Sequence, residues 1–347
     1  MSDQSHDALV PLGWGDRVQA LYDEIATATT RPGRVVRVAR AACFVATREG
    51  ETLASADPLP VVGDWVAVDT TADRVVVLGV VTRWSALIRQ DPSGDRAQVL
   101  AANVDLVLVT APADRPSAAR VERESLIAWE SGTRPVIVVT KTDLDRSAYA
   151  DELATRLVGV DVVSTSATTG DGVAEVAALL QPCHTAVLLG PSGAGKSTLA
   201  NALLGEDAFA TAAVRGVDAR GRHTTTSRQL VPVPTGGVLI DTPGVRSLGL
   251  WGGGQGIDRT FADIAELATR CRFADCRHEH EPGCAVIAAV TAGDLDPDRL
   301  ASFRKLEREL AWERRRVDPV ARDAERRRRK AIHKEQRRRY RDLGRDR

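Results

Sequence analysis

The chain has 347 residues, 43% of them hydrophobic and 27% charged, enough for two or three domains with sizeable cores and ordinary for a soluble globular protein. Its longest apolar runs fall far short of the roughly 20 residues a membrane helix needs, and the opening MSDQSHDALVPLGWGDR lacks the basic start and apolar centre of a secretory signal, so a cytoplasmic chain without membrane contact is expected. Zero net charge hides an asymmetry: Glu313 to Arg347 holds sixteen Lys/Arg against seven Asp/Glu, a net of +9, which leaves −9 for the remainder. A cationic tail on an acidic body points to a polyanionic partner. Of five cysteines, Cys43 and Cys183 stand alone and three crowd into fourteen residues. That is no disulfide framework.

Residues 1 to 32 carry one amphipathic helix, GDRVQALYDEIATA, ending at TTRPGR. From Arg34 to Arg89 the text changes to short β-branched runs broken by turn residues. Four or five strands fit, and a small barrel is expected. QDPSGDR reads as a linker. From Asn103 strands and helices alternate. VDLVLVTA, PVIVVT, DVVSTSA, TAVLLG and GVLIDTPG read as strands, and PSAARVERESLIAWESG, SAYADELATRLVG, GVAEVAALLQ and GKSTLANALLG as helices. That alternation predicts a parallel sheet covered on both faces. After Trp251 come a Gly-rich spacer, the helix IDRTFADIAELATR, a Cys/His cluster and mostly helical text.

Gly190-Pro191-Ser192-Gly193-Ala194-Gly195-Lys196-Ser197, followed by Thr198, matches the phosphate-loop pattern between an apolar strand and a helix. Glycines let backbone N–H groups turn around phosphate oxygens, and the helix N-terminus favours negative charge. Lys196 reaches the terminal phosphates, and Ser197 offers a hydroxyl to Mg²⁺. DTPG follows with Asp241, a carboxylate for the Mg²⁺ shell, and Gly244, whose N–H can meet the γ-phosphate. GRHTTT lies between the two motifs and supplies switch-loop hydroxyls, with Thr225 or a neighbouring threonine closing on the metal. TKTD (Thr140, Lys141, Thr142, Asp143) ends another apolar strand. The Asp143 carboxylate can accept from the ring N–H and exocyclic amine of guanine, a pair adenine lacks, while Lys141 packs its stem along the base. In TSA, Ser166 and Ala167 bring a backbone N–H near the guanine oxygen. The base-reading motif thus precedes the phosphate loop, the reverse of an ordinary guanine-nucleotide switch. In a doubly wound sheet the ligand loops sit at the carboxyl ends of strands whatever the order of connection, so circular permutation accounts for both motifs.

Cys271-x4-Cys276-x-His278-x5-Cys284 offers three thiolates and an imidazole, a set that suits a closed, structural zinc site, with His280 a competing ligand. The tail reads as an electrostatic contact for RNA phosphates.

The order TKTD, TSA, GPSGAGKST, GRHTTT, DTPG and Cys/His cluster, with LGW, VVGDWV, LAANVD and EPGCAV, resembles the ribosome small-subunit-dependent GTPase A (RsgA/YjeQ) family over most of the chain. The resemblance implies a multidomain α/β protein: an extension to residue 32, an OB-fold barrel over 33–95, a permuted GTPase domain over 100–255, a helical zinc domain over 256–312 and the basic tail from 313. It favours His278 over His280 as the fourth zinc ligand. It implies a monomer that hydrolyses GTP to GDP with Mg²⁺ during late maturation of the small ribosomal subunit, bound to that subunit's rRNA. The competing readings are an RNA-binding assembly factor that uses GTP only as an affinity switch, and a permuted GTPase of the large subunit. One departure stands out: the family usually has Asn where this chain has Thr140, which keeps one hydroxyl but loses reach. Val245 occupies the place where many switch GTPases carry a water-orienting Gln. Slow intrinsic hydrolysis is therefore expected, with His223 of the switch loop supplying the missing group on the subunit.

Overall fold

The computed structural model describes residues 7–71, 74–90, 97–144, 148–205, 228–241, 248 and 254–317. A 3-10 turn, Asp7–Leu12, and helix α1, Asp16–Asp23, open the chain. The helix ends earlier than its periodicity predicts because Ile25, Thr27, Thr29 and Thr30 are poor helix formers, and Thr30 Oγ1 accepts the Thr27 N–H at 2.8 Å. Its buried face, Val18 and Tyr22, joins Trp14 and Trp65 in an edge-on aromatic cluster on the outer face of β4, one wall of a barrel.

Five strands close that barrel: β1 (Thr30–Val38), β2 (Cys43–Thr47), β3 (Gly50–Ser55), β4 (Trp65–Asp69) and β5 (Val75–Val80), in the order β1-β2-β3-β5-β4 and back to β1. β1 manages both closures by length. Thr30 to Arg34 pair with β4, and Arg34 to Val38 pair with β2. Gly33 sits at the handover, where a Cβ would overlap Val45 Cγ1. Val35, Cys43, Val45, Ala54, Val66 and Val68 fill the interior. The sixth β-branched run is not part of the barrel. β6 (Ala86–Gln90) pairs with β7 (Ala97–Ala102), Gln90 opposite Ala97, so the stretch expected to be a linker joins two paired strands.

The nucleotide-type sheet contains β8 (Leu106–Pro112), β9 (Arg134–Thr140), β10 (Asp161–Ser164), β11 (Thr185–Leu189), β12 (Gln229–Pro232) and β13 (Val238–Asp241), in the order β10-β9-β8-β11-β13-β12. All pairs are parallel except β12–β13. The period of two sorts β8 cleanly. Leu106 and Leu108 meet Val176, Leu199 and Leu203 of α4 (Val173–Leu179) and α5 (Lys196–Leu204) on one face. Val107 and Val109 meet Leu126 and Ile127 of α2 (Ala118–Glu130) and Leu153 of α3 (Tyr149–Arg156) on the other. β12 was not anticipated from the sequence. It forms a hairpin with β13, and its Gln229 also pairs with Arg37 of β1, so barrel and sheet run together as eleven strands. The Arg34 guanidinium, 1% exposed, fastens the same junction. It lies over Trp65 and donates to the Leu12 carbonyl, to Thr185 Oγ1 (2.8 Å) and to the Asn103 carbonyl (3.3 Å).

Helices α6 (Gln255–Thr260), α7 (Ala262–Ala268), α8 (Ala285–Ala292) and α9 (Pro297–Val317) follow. Phe261, Leu300, Leu306 and Leu310 share the core of α2. Arg299, 3% exposed, is clamped between Asp263 (2.6 and 2.7 Å) and the buried Glu122 of α2 (2.8 Å), which also receives Arg156. Glu130, at the other end of α2, accepts the N–H groups of Gly254 (2.9 Å) and Gly256 (2.6 Å) at the start of α6. Among the described residues no helix is long and apolar enough to cross a membrane.

Candidate functional site

β11 delivers the chain to the carboxyl edge of the sheet, and the phosphate loop turns there into α5. Gly190 is forced by its neighbour: its φ is +146°, and a Cβ would overlap Thr110 Oγ1 of β8. That hydroxyl donates to the Leu189 carbonyl at 2.9 Å, drawing the two strand ends together. Lys196 Nζ donates to the carbonyls of Gly190 (2.8 Å) and Pro191 (2.7 Å), so its ammonium already spans the loop mouth. Ala194 is buried beneath the loop, Gly195 is half-buried, and Ser192, Gly193, Ser197 and Thr198 are exposed along its rim.

Strand β9, which carries TKTD at its end, finishes beside this loop. Thr140, 4% exposed, donates its hydroxyl to the Ala194 carbonyl at 2.7 Å. The reach expected to be lost with asparagine is thus retained toward the phosphate loop. Lys141 takes the left-handed conformation (φ +62°), and its ammonium pairs with Asp114 at 2.9 Å. The Thr142 N–H donates to the Thr165 carbonyl at 3.2 Å, fastening TKTD to TSA. Asp143 lies exposed in the turn closed by the Leu144 N–H on the Lys141 carbonyl. Ser166 is buried and anchors its own turn through Asp171 and Thr169, with half-buried Ala167 following.

Two residues here escaped sequence reasoning. Asp114 and Arg115 follow β8 directly. Asp114 holds Lys141, whose hydrogen bond keeps that carboxyl below the usual range, and Arg115 Nη2 donates to the Gly193 carbonyl at 3.4 Å. A charged pair just past a strand end, where neighbouring crossovers diverge, was the available signal. Glu124 of α2 was missed as well. Burial pushes its carboxyl up to about 7 despite Arg120, Lys196 and Arg123 nearby.

Asp241 ends β13, beside β11, which puts its backbone at the same sheet edge. Its side chain, Gly244 and Val245, and the segment 206–227 with His223 and Thr225, lie outside the described residues.

The second site is compact. Single ligand atoms of Cys271, Cys276, His278 and Cys284 all lie within 4.8 Å of one another, so the four residues could hold a metal ion. Cys271 Sγ is 3.8 Å from Cys284 Sγ, and His278 Nδ1 is 3.4 Å from the latter. His278 takes a left-handed conformation (φ +57°) and is 7% exposed. His280, the competitor, is exposed and outside the cluster. The Glu281 carboxylate accepts the N–H groups of Arg277, Glu279 and His280, which fold the loop and hold its pKa down to about 2.

A family model described as RsgA GTPase matches residues 80–251. A Streptomyces coelicolor protein named small ribosomal subunit biogenesis GTPase RsgA is 48% identical, covering 89% of this chain and 88% of that protein. A protein of the same name from Opitutus terrae is 42% identical over 97% of this chain and 99% of its own. Among solved structures, YjeQ from Thermotoga maritima matches with a TM-score of 0.60 at 26% identity, covering 81% of this chain and 98% of that one. YloQ, a circularly permuted GTPase, matches with a TM-score of 0.59 at 25% identity over 82% and 96%. Likeness of this extent, on a sheet where GPSGAGKST follows TKTD in the chain, makes the protein a member of the RsgA GTPase family, a circularly permuted GTP hydrolase.

Proposed function

We propose that this GTPase acts in late maturation of the small ribosomal subunit, as a cytoplasmic monomer whose GTP hydrolysis that subunit stimulates. The observation that carries the reading is the convergence of the loops after β8, β9, β10 and β11 on one sheet edge, in a chain whose relatives are named small ribosomal subunit biogenesis GTPases.

The site residues take roles in that reading. Lys196 and the loop backbone from Gly190 to Gly195 hold the phosphates, and Asp143 selects guanine with Lys141 along the base. Ser197 and Asp241 would hold Mg²⁺, which supplies neutralisation of phosphate charge. Gly244 and Thr225 approach the γ-phosphate, and His223 positions the attacking water. The Cys/His cluster suits Zn²⁺. Zinc–sulfur bonds of about 2.3 Å in a tetrahedron separate the sulfurs by about 3.8 Å, the spacing of Cys271 and Cys284. Four protein ligands leave no open position, so the metal there builds a fold.

The deciding experiment is GTP hydrolysis with and without purified small subunits, and with large subunits. Strong stimulation by small subunits alone is expected. No turnover under any condition would make the protein an affinity switch, and stimulation by large subunits alone would reassign its partner.

A further inference from the structure

The edge of the sheet opposite the nucleotide loops carries a cavity of about 390 Å³. Four parts of the chain build it: α1 with the segment before β6, the end of α2, the starts of β8, β9 and β11, and α6. Its charge is one-sided. Arg17, Arg134 and Arg259 line it, against one carboxylate, Asp105. Asp105 is already engaged, with Oδ2 accepting the Thr185 N–H at 2.8 Å. Arg134 has a distant partner in Asp161 at 3.8 Å. Among the described residues Arg17 and Arg259 have no carboxylate partner. Each instead lies over an indole that also lines the cavity: Arg17 over Trp84 at 4.4 Å, Arg259 over Trp129 at 5.1 Å.

An indole beneath a guanidinium fixes its plane and leaves its outer face and N–H edges available. Planar guanidinium groups stack on bases and bind phosphate through paired N–H donors. The volume falls in the range of small-ligand pockets, and junctions between domains are where such pockets concentrate. We infer that this cavity is a second nucleotide site, which takes one nucleotide unit, base and phosphate together, from a free mononucleotide or a single-stranded RNA. The inference goes beyond the proposed function and stands whether or not the small subunit is the partner.

The test uses the full chain with its phosphate-loop site saturated by a non-hydrolysable GTP analogue and Mg²⁺. AMP and a short single-stranded oligoadenylate are titrated separately by calorimetry, since the guanine-selective site rejects adenine. Arg17→Gln with Arg259→Gln should weaken binding at least about tenfold, the scale of losing charge-assisted hydrogen bonds. The same change at two exposed barrel arginines, Arg48→Gln with Arg74→Gln, should leave it intact. For the RNA probe the log–log salt slope should fall by about 0.7 per lost phosphate contact. Loss confined to AMP identifies a free nucleotide as the guest, and loss confined to oligoadenylate identifies an RNA strand. Failure of both probes to bind the wild type, or equal loss in the barrel pair, overturns the inference. Should the glutamine pair misfold, shown by lost GTP-analogue affinity, Arg17→Lys with Arg259→Lys keeps charge but removes the plane. Unchanged binding in that pair overturns the inference equally.

Discussion

The nucleotide loops and the Cys/His cluster are both irregular backbone, yet they are held in opposite ways. The loops are preformed by the sheet. Strand ends fix their origins, and four short hydrogen bonds close them: Thr110 to Leu189, Thr140 to Ala194, and Lys196 to the carbonyls of Gly190 and Pro191. The Cys271–Cys284 loop meets the core through its Cys and His side chains rather than through a strand end. Arg272, Phe273, Ala274 and Asp275 are exposed, and its order comes from Glu281 and from converging sulfur and nitrogen ligands. The first region should therefore outlast the loss of its ligand, and the second should not.

The sharpest test is metal removal. Chelation or Cys276→Ser should release hydrogen-exchange protection across the loop, since structural zinc supplies on the order of 10 kcal/mol in isolated zinc peptides. α6 and α9 share the α2 core and should keep their protection, and GTP affinity should hardly change. Unchanged exchange in the loop would break the comparison from one side, and lost GTP binding would break it from the other.

Gly190→Ala attacks the preformed region. The added methyl overlaps Thr110 at an unfavourable φ, a strain mechanism that costs roughly 4 kcal/mol. Melting temperature and GTP affinity should both fall, and adding Thr110→Ala should restore part of each, a coupling that a double-mutant cycle reads directly. Additive effects would show that the loop is not set by β8.

Thr140→Val is milder. It removes one buried hydrogen bond, worth about 1 kcal/mol, and should weaken GTP about fivefold, read by nucleotide titration. Thr140→Asn should come close to wild-type affinity, because an amide can also donate to the Ala194 carbonyl.

The smallest effect is a pH slope. The Glu124 carboxyl titrates near about 7 when folded and near 4.5 in its ordinary range. The folded state therefore holds that proton more tightly. Its contribution to stability is complete below about pH 4.5 and lost as pH rises through about 7. Glu124→Gln should flatten that part of the melting profile and stabilise the protein above about pH 7. A parallel profile would show that the site's field already accommodates the charge.

Most of the sheet was legible because its strands are buried on both faces and read as unbroken apolar runs, as in LVLVTAP and RPVIVVT. β12 was not, since four residues ending in proline carry too little period. The placement of GPSGAGKST and TKTD at strand ends was legible because each directly follows an apolar run. Asp114 and Arg115 were hidden because their role depends on the strand order that brings β8 between β9 and β11. The rivalry of His278 and His280 was open in the spacing alone, and geometry decides it: one side chain turns into the cluster, the other stays outside. The α1 boundary slipped because threonines compete with the helix through local hydrogen bonds.

One row of backbone pairing ties the barrel to the strand that leads into DTPG. Arg37 of β1 pairs with Gln229 of β12, and Gln229 pairs with Asp241 of β13. Two strand spacings, about 10 Å, separate the barrel wall from the backbone of the residue that leads into DTPG. Gln229 also closely follows the segment that holds GRHTTT. Gln229 is thus a node where the barrel, β13 and the chain arriving from GRHTTT meet. A load on β1 of the barrel is therefore handed through a single residue pair, Arg37 with Gln229, to the end of β13.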